Sequence, residues 1–255
     1  MSQYYNGKRT RNLFTPSSDQ PFKLSRSKLE LFKKCPRCFY VDRRLGVGQP
    51  PGFPFTINSA IDHLLKKEFD EYRESGQAHP LMRDAKIDAV PCPHEQLDRW
   101  RTNFTGVQVR HQKTNLIITG AIDDLWVTPD RQHLVVDYKA TSKDQPVTIN
   151  ARWQDSYKRQ MEIYQWLLRG NGLAVSDTGY FVYCNGRRSA PRFEGRMDFD
   201  ISVIPYVGDD SWVERLVIEA HRCLTDDEIP PVTQDCDYCT YYASVTDVVQ
   251  TSPRG

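Results

Sequence analysis

The chain has 255 residues, 39% of them hydrophobic and 11% aromatic, which is enough to bury a sizeable core. Its 34 Lys and Arg residues nearly balance 33 Asp and Glu residues, which excludes a polyanion-binding protein that acts through bulk charge. We expect no membrane span, no secretory signal and a cytoplasmic location, because no apolar run reaches about 18 residues and the N-terminal segment is polar. In that compartment the seven cysteines are expected to be reduced or metal-bound.

The pattern along the chain predicts one main domain with short extensions at both ends. Residues 1–22 are polar and predict a flexible or peripheral arm. A single domain is expected over 23–245, with a mainly helical part at 23–106, a sheet core at 107–205, and a last helix with a cysteine-containing tail at 206–245. Residues 246–255 are expected to be a tail.

Apolar periodicity predicts the elements of this domain in chain order. Helices are predicted at 25–34, 58–75, 151–169 and 211–224. Strands are predicted at 107–110, 116–119, 178–184 and 193–203, with Asn185-Gly186 as the turn between the last two.

The most informative stretch is a predicted β-hairpin formed by Gly120–Val127 and His133–Ala140. Residues i and i+2 of a strand share a face, so Asp137 and Lys139 project together. Asp123, in the first half of the hairpin, supplies a second carboxylate. Two carboxylates and a lysine beside apolar strands indicate a metal site with a catalytic lysine.

Phosphodiester hydrolysis is the chemistry that such a site could perform. Mg²⁺ prefers hard oxygen ligands and keeps several waters, so Asp123, Asp137 and the carbonyl of Tyr138 would be sufficient protein ligands. Lys139 would lie beside the attacking water or the scissile phosphate and stabilise developing charge. Whether it also accepts a proton is left open by the sequence. Asp124 is the rival of Asp123 and ranks second, because alternation turns its side chain to the other sheet face.

A second group of candidate ligands consists of two C-x-x-C pairs near opposite ends of the chain. They are Cys35 with Cys38 and Cys236 with Cys239. Four thiolates from two such turns predict a shared metal site that holds zinc or an iron–sulfur cluster and ties the two ends of the domain together. The spacing alone favours zinc.

These motifs, in this order, resemble the PD-(D/E)xK nuclease superfamily, and in particular its RecB-like branch. The resemblance rests on Gly120-Ala121-Ile122-Asp123, on Val135-Val136-Asp137-Tyr138-Lys139, and on Gln160 with Tyr164 four residues later. Leu24–Leu29, leading into Cys35–Tyr40, is similar to the start of the branch's iron–sulfur members, which include AddB helicase-nucleases and nucleases of CRISPR spacer acquisition. The resemblance covers residues 24 to 242.

The resemblance implies a restriction-endonuclease-like α/β fold, with a mixed central sheet flanked by helices. It implies that Gln160 and Tyr164 lie near the active site and contact DNA, although a packing helix is their alternative interpretation. It places His63 in the metal shell, whereas helical spacing alone predicts an exposed histidine. It also favours a [4Fe–4S] cluster, which becomes the preferred expectation, with Zn²⁺ as the alternative. The family has one early and three late cysteines; here the last is missing and Cys38 is present instead.

The resulting prediction is a Mg²⁺- or Mn²⁺-dependent deoxyribonuclease, acting on ends or single strands in DNA repair, recombination or CRISPR adaptation. Its alternative is a non-catalytic DNA-binding or scaffold module that works with a partner. A helicase or CRISPR integration proteins are the expected partners, because the chain has no Walker A motif of its own. Phosphate-binding and base-stacking candidates near the cleft are Lys143, Arg152, Trp153, Tyr157, Lys158 and Arg159.

Overall fold

The structure, a computed structural model, describes residues 7–52 and 56–251. The chain forms two compact units. Unit 1 comprises Met1–Phe53, Arg110–Ile117 and Glu214–Gly255, and unit 2 comprises Pro54–Val109 and Ile118–Val213. The strands β3 (Val107–His111) and β4 (Leu116–Gly120) run through the division, and a three-stranded sheet has the order β1-β4-β3, in which β1 is Phe22–Ser25.

A five-stranded mixed sheet forms the centre of unit 2. Its strands are β2 (Val90–Pro91), β5 (Asp124–Val127), β6 (His133–Thr141), β7 (Thr178–Gly186) and β8 (Phe199–Val207), in that spatial order. Only β6 and β7 pair in parallel, and the other neighbours are antiparallel. A parallel pair needs a long crossover connection, which contains a 3₁₀ turn (Arg152–Gln154) and the long helix α6 (Asp155–Gly170).

The two faces of this sheet are covered by different helices. α3 (Thr56–Ser75) packs Leu65 and Phe69 against a buried cluster that includes Trp126, Val136 and Tyr138. Because side chains alternate along a strand, Asp137 and Lys139 face the other way, where α6 lies. Two short helices, α4 (Pro80–Asp84) and α5 (Leu97–Trp100), complete the described helices of unit 2. The prediction of a mixed sheet flanked by helices is confirmed.

Unit 1 is largely helical. Its helices are α1 (Arg26–Lys34), α2 (Pro36–Arg43), α7 (Val213–Thr225) and α8 (Asp237–Thr251). Pro36 separates α1 from α2 and occupies the first turn of α2, where the missing N–H of proline has no cost. The predicted tie between the two ends of the chain is present, because the four cysteines of the C-x-x-C pairs lie together in this unit.

Three boundaries differ from the sequence-based expectation. Asn185 and Gly186 belong to β7 rather than to a turn, and residues 187–198 connect β7 to β8 instead. The reason is local: the side chain of Asn185 exchanges two hydrogen bonds with the backbone of Lys143, which keeps it in the extended strand. The stretch expected to be a cysteine tail forms α8, which continues to Thr251.

The described part of the N-terminal arm makes specific contacts within unit 1. Arg9 donates from its backbone to Gly46 and pairs with the fully buried Asp42 at 2.6 Å. The ring of Phe14 packs edge-on against Phe22. Residues 9–22 are therefore held within unit 1 by hydrogen bonds and ring contacts. In the described part of the chain, no helix combines the length and apolar character that a bilayer crossing requires.

Candidate functional site

The centre of the candidate active site is the outer half of β6. Asp137 is fully buried and forms an ion pair with Lys139, whose side chain is 14% exposed. Burial lowers the pKa of Lys139, but the charges of Asp137 and Asp123 outweigh it and raise the pKa above its usual value. The neighbouring carboxylates therefore favour the protonated form of Lys139.

Helix α6 supplies the polar groups that hold this pair. The side-chain amide of Gln160 donates to Oδ1 of Asp137 at 2.8 Å and to the hydroxyl of Tyr164 at 2.9 Å. Its carbonyl oxygen accepts from Nζ of Lys139 at 3.4 Å. Gln160 and Tyr164 lie one helical turn apart and therefore on the same face, as their spacing predicts. One glutamine thus fixes the orientation of both charged residues.

The ring of Tyr164 is the reason that position 120, the first of the G-x-I-D motif, requires glycine. A Cβ atom at Gly120 would lie 2.6 Å from Cε1 of the tyrosine ring, which is too close for any other residue. Because Gly120 has no side chain, the Tyr164 ring can pack against the end of β4, just before the segment that carries Asp123. The G-x-I-D motif and the pair of Gln160 and Tyr164 therefore pack against each other.

Asp123 lies just before β5 and is oriented by the backbone of β6. Its Oδ2 accepts from the N–H of Tyr138 at 2.8 Å, and its Oδ1 lies 3.8 Å from Nζ of Lys66. Burial and the negative charge of Asp137 raise the pKa of Asp123 to about 7, against the attraction of the two lysines. A cation bound beside the two carboxylates would relieve this repulsion and favour the ionised form of Asp123.

Asp124 has a different environment and a different role. It is fully buried on the α3 side of the sheet, where Oδ1 accepts from Arg73 at 2.5 Å and from Arg101 at 2.8 Å. Its Oδ2 accepts from the hydroxyl of Tyr138 at 2.8 Å. With both oxygens engaged, Asp124 is part of the packing between α3, α5 and the sheet.

His63 is not brought together with the two carboxylates. It is exposed on α3, and among the described residues the contacts of Asp123 come from Lys66 and Tyr138 instead. Asp62, the preceding residue, pairs with Lys66 at 2.8 Å, and its charge also acts on Asp123. Among the described residues of α3, Asp62 and Lys66 are therefore the ones that act on Asp123.

Sequence reasoning missed Asp62 and Lys66. Their spacing of four residues is a signal for a surface ion pair on a helix. Nothing in the sequence says which side of α3 faces the carboxylates, so the pair could not be placed without the structure.

The residues expected to contact nucleic acid lie around the start of α6. Trp153 is 64% exposed and packs edge-on against Tyr157. Nζ of Lys139 lies 4.5 Å from the centre of the Tyr157 ring, which connects this aromatic pair to the active-site lysine. Arg152 is exposed, Lys143 and Arg159 are half-buried, and Lys158 pairs with Asp155 at 3.3 Å.

The four cysteines form a separate site, in unit 1. Their sulfur atoms all lie within 4.8 Å of one another, with Cys35 3.6 Å from Cys239, and Cys38 3.6 Å from Cys236 and 3.7 Å from Cys239. Cys35 immediately precedes α2 and Cys236 immediately precedes α8, and the second cysteine of each pair lies in the first turn. Each C-x-x-C motif therefore spans a helix N-terminus, which favours thiolates.

The thiols of the cluster differ in their electrostatics, because burial raises the pKa of Cys38 and of Cys239 whereas the pKa of Cys35 is lowered. Burial also acts to raise the pKa of Cys35, but hydrogen bonds from the side chain of Thr233 and the backbone of Cys38 outweigh that effect and lower the pKa to about 7. The remaining cysteines, Cys92, Cys184 and Cys223, lie apart from this group, and burial raises the pKa of each to about 11. The four clustered cysteines could bind a metal ion.

One protein family matches most of the chain. No curated protein matches the chain. A solved structure titled "Crystal structure of SSO0001" matches with 15% sequence identity and a TM-score of 0.39, over 87% of this chain and 84% of that one. The sequence profile of the PD-(D/E)XK nuclease superfamily matches residues 23–244, which include both the hairpin with Asp123, Asp137 and Lys139 and the four clustered cysteines. The chain belongs to the PD-(D/E)XK nuclease superfamily.

Proposed function

We propose that this protein is a metal-dependent deoxyribonuclease that hydrolyses phosphodiester bonds at the ends or in single strands of DNA. The observation that carries the proposal is the contact between Asp137, Lys139 and Gln160. A buried carboxylate, a protonated lysine and an amide that orients both are brought together at one point of the sheet surface. Membership of a nuclease superfamily supports the same reaction class.

The donor set fits a Mg²⁺ or Mn²⁺ ion. Asp123 and Asp137 are hard oxygen ligands, and Asp123 is 24% exposed, so an ion can reach it and keep part of its water shell. The carbonyl of Tyr138 and the carboxylate of Asp62 are further candidate oxygens. When bound, the ion supplies an activated water and charge compensation for the phosphate.

The protein's own groups have distinct roles in this proposal. Lys139 stays protonated, holds the scissile phosphate and stabilises the negative charge that develops during hydrolysis. Gln160 keeps Lys139 and Asp137 in place and limits rotation of the carboxylate. Lys66 balances the negative charge of Asp123 and Asp62 before an ion arrives. Tyr157 and Trp153, beside Lys139, provide aromatic surface for an unpaired base.

The cellular setting is proposed from the RecB-like arrangement of the motifs. It comprises DNA repair, recombination or CRISPR adaptation in the cytoplasm, with a helicase or integration proteins as partners. Residues 23–245 are proposed to work as one nuclease domain, although the chain forms two compact units.

The four-cysteine site is proposed to hold one zinc ion. Zinc–thiolate bonds of about 2.3 Å in a tetrahedral site place the sulfur atoms about 3.8 Å apart. Three of the six distances between the cysteine sulfurs are 3.6–3.7 Å, close to that value, and all six are within 4.8 Å. The family resemblance favoured a [4Fe–4S] cluster instead. Such a cluster places four iron atoms and four sulfides among the thiolates, so it needs larger distances between the cysteine sulfur atoms.

One cleavage experiment tests the nuclease proposal. Labelled single- and double-stranded DNA is incubated with the protein in Mg²⁺, in Mn²⁺ and in EDTA, and then with Asp137→Ala and Lys139→Ala. Cleavage should require the divalent ion and should be lost in both variants. Binding of DNA without any cleavage in either metal would instead support a scaffold role and overturn the proposal.

A further inference from the structure

The connection between β7 and β8 carries a concentration of positive charge that the active site does not use. Residues 187–198 contain four arginines, at positions 187, 188, 192 and 196, and two carboxylates. Arg192 and Arg196 are the most exposed, with 78% and 81% of their side chains accessible. Phe193, between them, is 70% exposed. We call residues 187–198 the arginine loop.

The sheet places the arginine loop on the same end of unit 2 as the active-site lysine. Lys139 of β6 pairs with Tyr183 of the parallel strand β7, and Thr141 pairs with Asn185. Tyr183, Asn185 and Arg187 alternate onto the face that carries Lys139. Arg187, the first residue of the loop, therefore lies about 13 Å along the strand from Tyr183, the residue paired with Lys139, since a strand rises about 3.3 Å per residue.

The base of the loop is fixed, whereas its charged tip is open to solvent. Ser142 donates to the carbonyl of Gly186 at 2.9 Å, and the backbone of Arg187 donates to Asp198 at 2.9 Å. The first bond connects the base of the loop to the segment that follows β6 at Thr141, and the second joins the two ends of the loop. The arginines consequently have a defined position relative to the catalytic strand.

Each arginine of the loop has an exposed acidic partner. Arg187 pairs with Asp200, Arg188 with Asp144 at 2.6 Å, Arg196 with Asp198 at 3.4 Å, and Arg192 with Glu194. All are at the surface, where such a pair contributes little to stability and is readily exchanged. A phosphate offers each guanidinium a bidentate acceptor and releases counterions, so it competes well with an exposed carboxylate.

We propose that the arginine loop is a clamp for the DNA backbone, which it contacts on one side of the scissile phosphate. The inference rests on the proposed nuclease function and adds to it a binding surface for substrate. With about 3.4 Å per nucleotide along one strand, the distance from Lys139 to the loop corresponds to roughly four nucleotides. Phe193 at the tip provides a surface on which a base can stack.

The test variant of the loop is Arg188→Ala/Arg192→Ala/Arg196→Ala. In the control variant, three exposed arginines of other elements are changed to Ala instead: Arg83, Arg99 and Arg215. Both variants lose the same charge. DNA binding is measured by fluorescence anisotropy in EDTA over a salt series, and cleavage is measured on oligonucleotides from about 4 to about 30 nucleotides in length.

The loop variant should bind DNA more weakly, and its plot of log affinity against log salt should be shallower by about 0.7–0.9 for each phosphate that the loop no longer neutralises. KM should rise for long substrates, with kcat retained and little change for the shortest ones. In the opposite direction, Glu194→Gln/Asp198→Asn should tighten binding, because it frees arginines to pair with phosphates.

Equal salt slopes and equal KM values in the loop variant and the control would overturn the clamp while leaving the nuclease proposal intact. If the unaltered protein cleaves no DNA with Mg²⁺ or Mn²⁺, the nuclease proposal fails. If it also binds no DNA, the clamp fails with it. Circular dichroism spectra of all variants should match, which makes the comparison one of binding rather than of folding.

Discussion

The amide nitrogen of Gln160 lies 2.8 Å from Oδ1 of Asp137, and this bond connects helix α6 to the catalytic strand. The same nitrogen donates to Tyr164, while the carbonyl oxygen accepts from Lys139. A glutamine in this position acts on both the proposed metal ligand and the proposed phosphate-binding lysine. In the proposed reaction its role is therefore to position these two groups.

Gln160→Met should lower cleavage activity or metal affinity roughly 10- to 100-fold, as is typical when a group that orients a metal ligand is removed. Methionine keeps the volume of the side chain but leaves Asp137 and Lys139 without their shared partner. Steady-state cleavage at increasing Mn²⁺ separates the two effects. Gln165→Met, on the same helix, is the control, because Gln165 donates to Ser176 and Asp177 rather than to the site.

Asp123 and Asp124 are neighbours whose substitution should have opposite consequences. Asp124→Asn should destabilise the protein by about 3–5 kcal/mol, because it leaves the charges of Arg73 and Arg101 without their buried partner. Asp123→Asn should abolish cleavage with little loss of stability, because it removes a carboxylate repelled by Asp137. Urea unfolding and DNA cleavage of both variants check the assignment. A stable, active Asp123→Asn protein would show that Asp123 is not a metal ligand.

Without a divalent ion, stability should fall as the pH rises from about 4 to about 7. The folded protein holds the proton of Asp123 with a pKa of about 7, whereas the unfolded chain releases it near 3.8. Between these values the folded state binds more protons, so raising the pH favours unfolding. Melting temperatures measured in EDTA across this range should show the decline, and Asp123→Asn should reduce it. Added Mg²⁺ should oppose the decline, because the ion binds the ionised form.

The purified protein should contain one zinc ion and be colourless, without the absorption near ~400 nm that iron–sulfur clusters show. Cys38→Ser should lose the ion and melt at a lower temperature, since metal binding energy contributes to folding. Cys92→Ser is the matched control, because this thiol belongs to unit 2 and is not part of the cluster. A brown protein with about four iron atoms per chain would instead identify a [4Fe–4S] cluster.

The parts of the fold that could be predicted are those with a strong local pattern. The hairpin of β5 and β6, the long helices α3 and α6, and the pairing of the two C-x-x-C motifs follow from alternation, periodicity and spacing. The resemblance then predicted the family, which the match over residues 23–244 confirms.

The parts that could not be predicted depend on tertiary contacts. α8 contains many β-branched and aromatic residues, whose helix propensity is low, and it begins at the cysteine cluster. Asn185-Gly186 has the sequence of a tight turn, yet side-chain bonds to Lys143 keep it in a strand. Asp62 and Lys66 act on Asp123 because of how α3 packs against the sheet. Helical spacing shows that the two residues share a face, but it does not show which element that face contacts.

The four-cysteine site has a consequence for biosynthesis, because Cys35 and Cys239 are separated by 204 positions in the chain. A ribosome adds roughly 5–20 residues per second, so the first C-x-x-C pair waits on the order of 10–40 seconds for the second. During that interval Cys35 and Cys38 form only half of the site and are open to oxidation or to the wrong metal. A metal ion that needs all four thiols can therefore bind only after both C-x-x-C pairs have been synthesised.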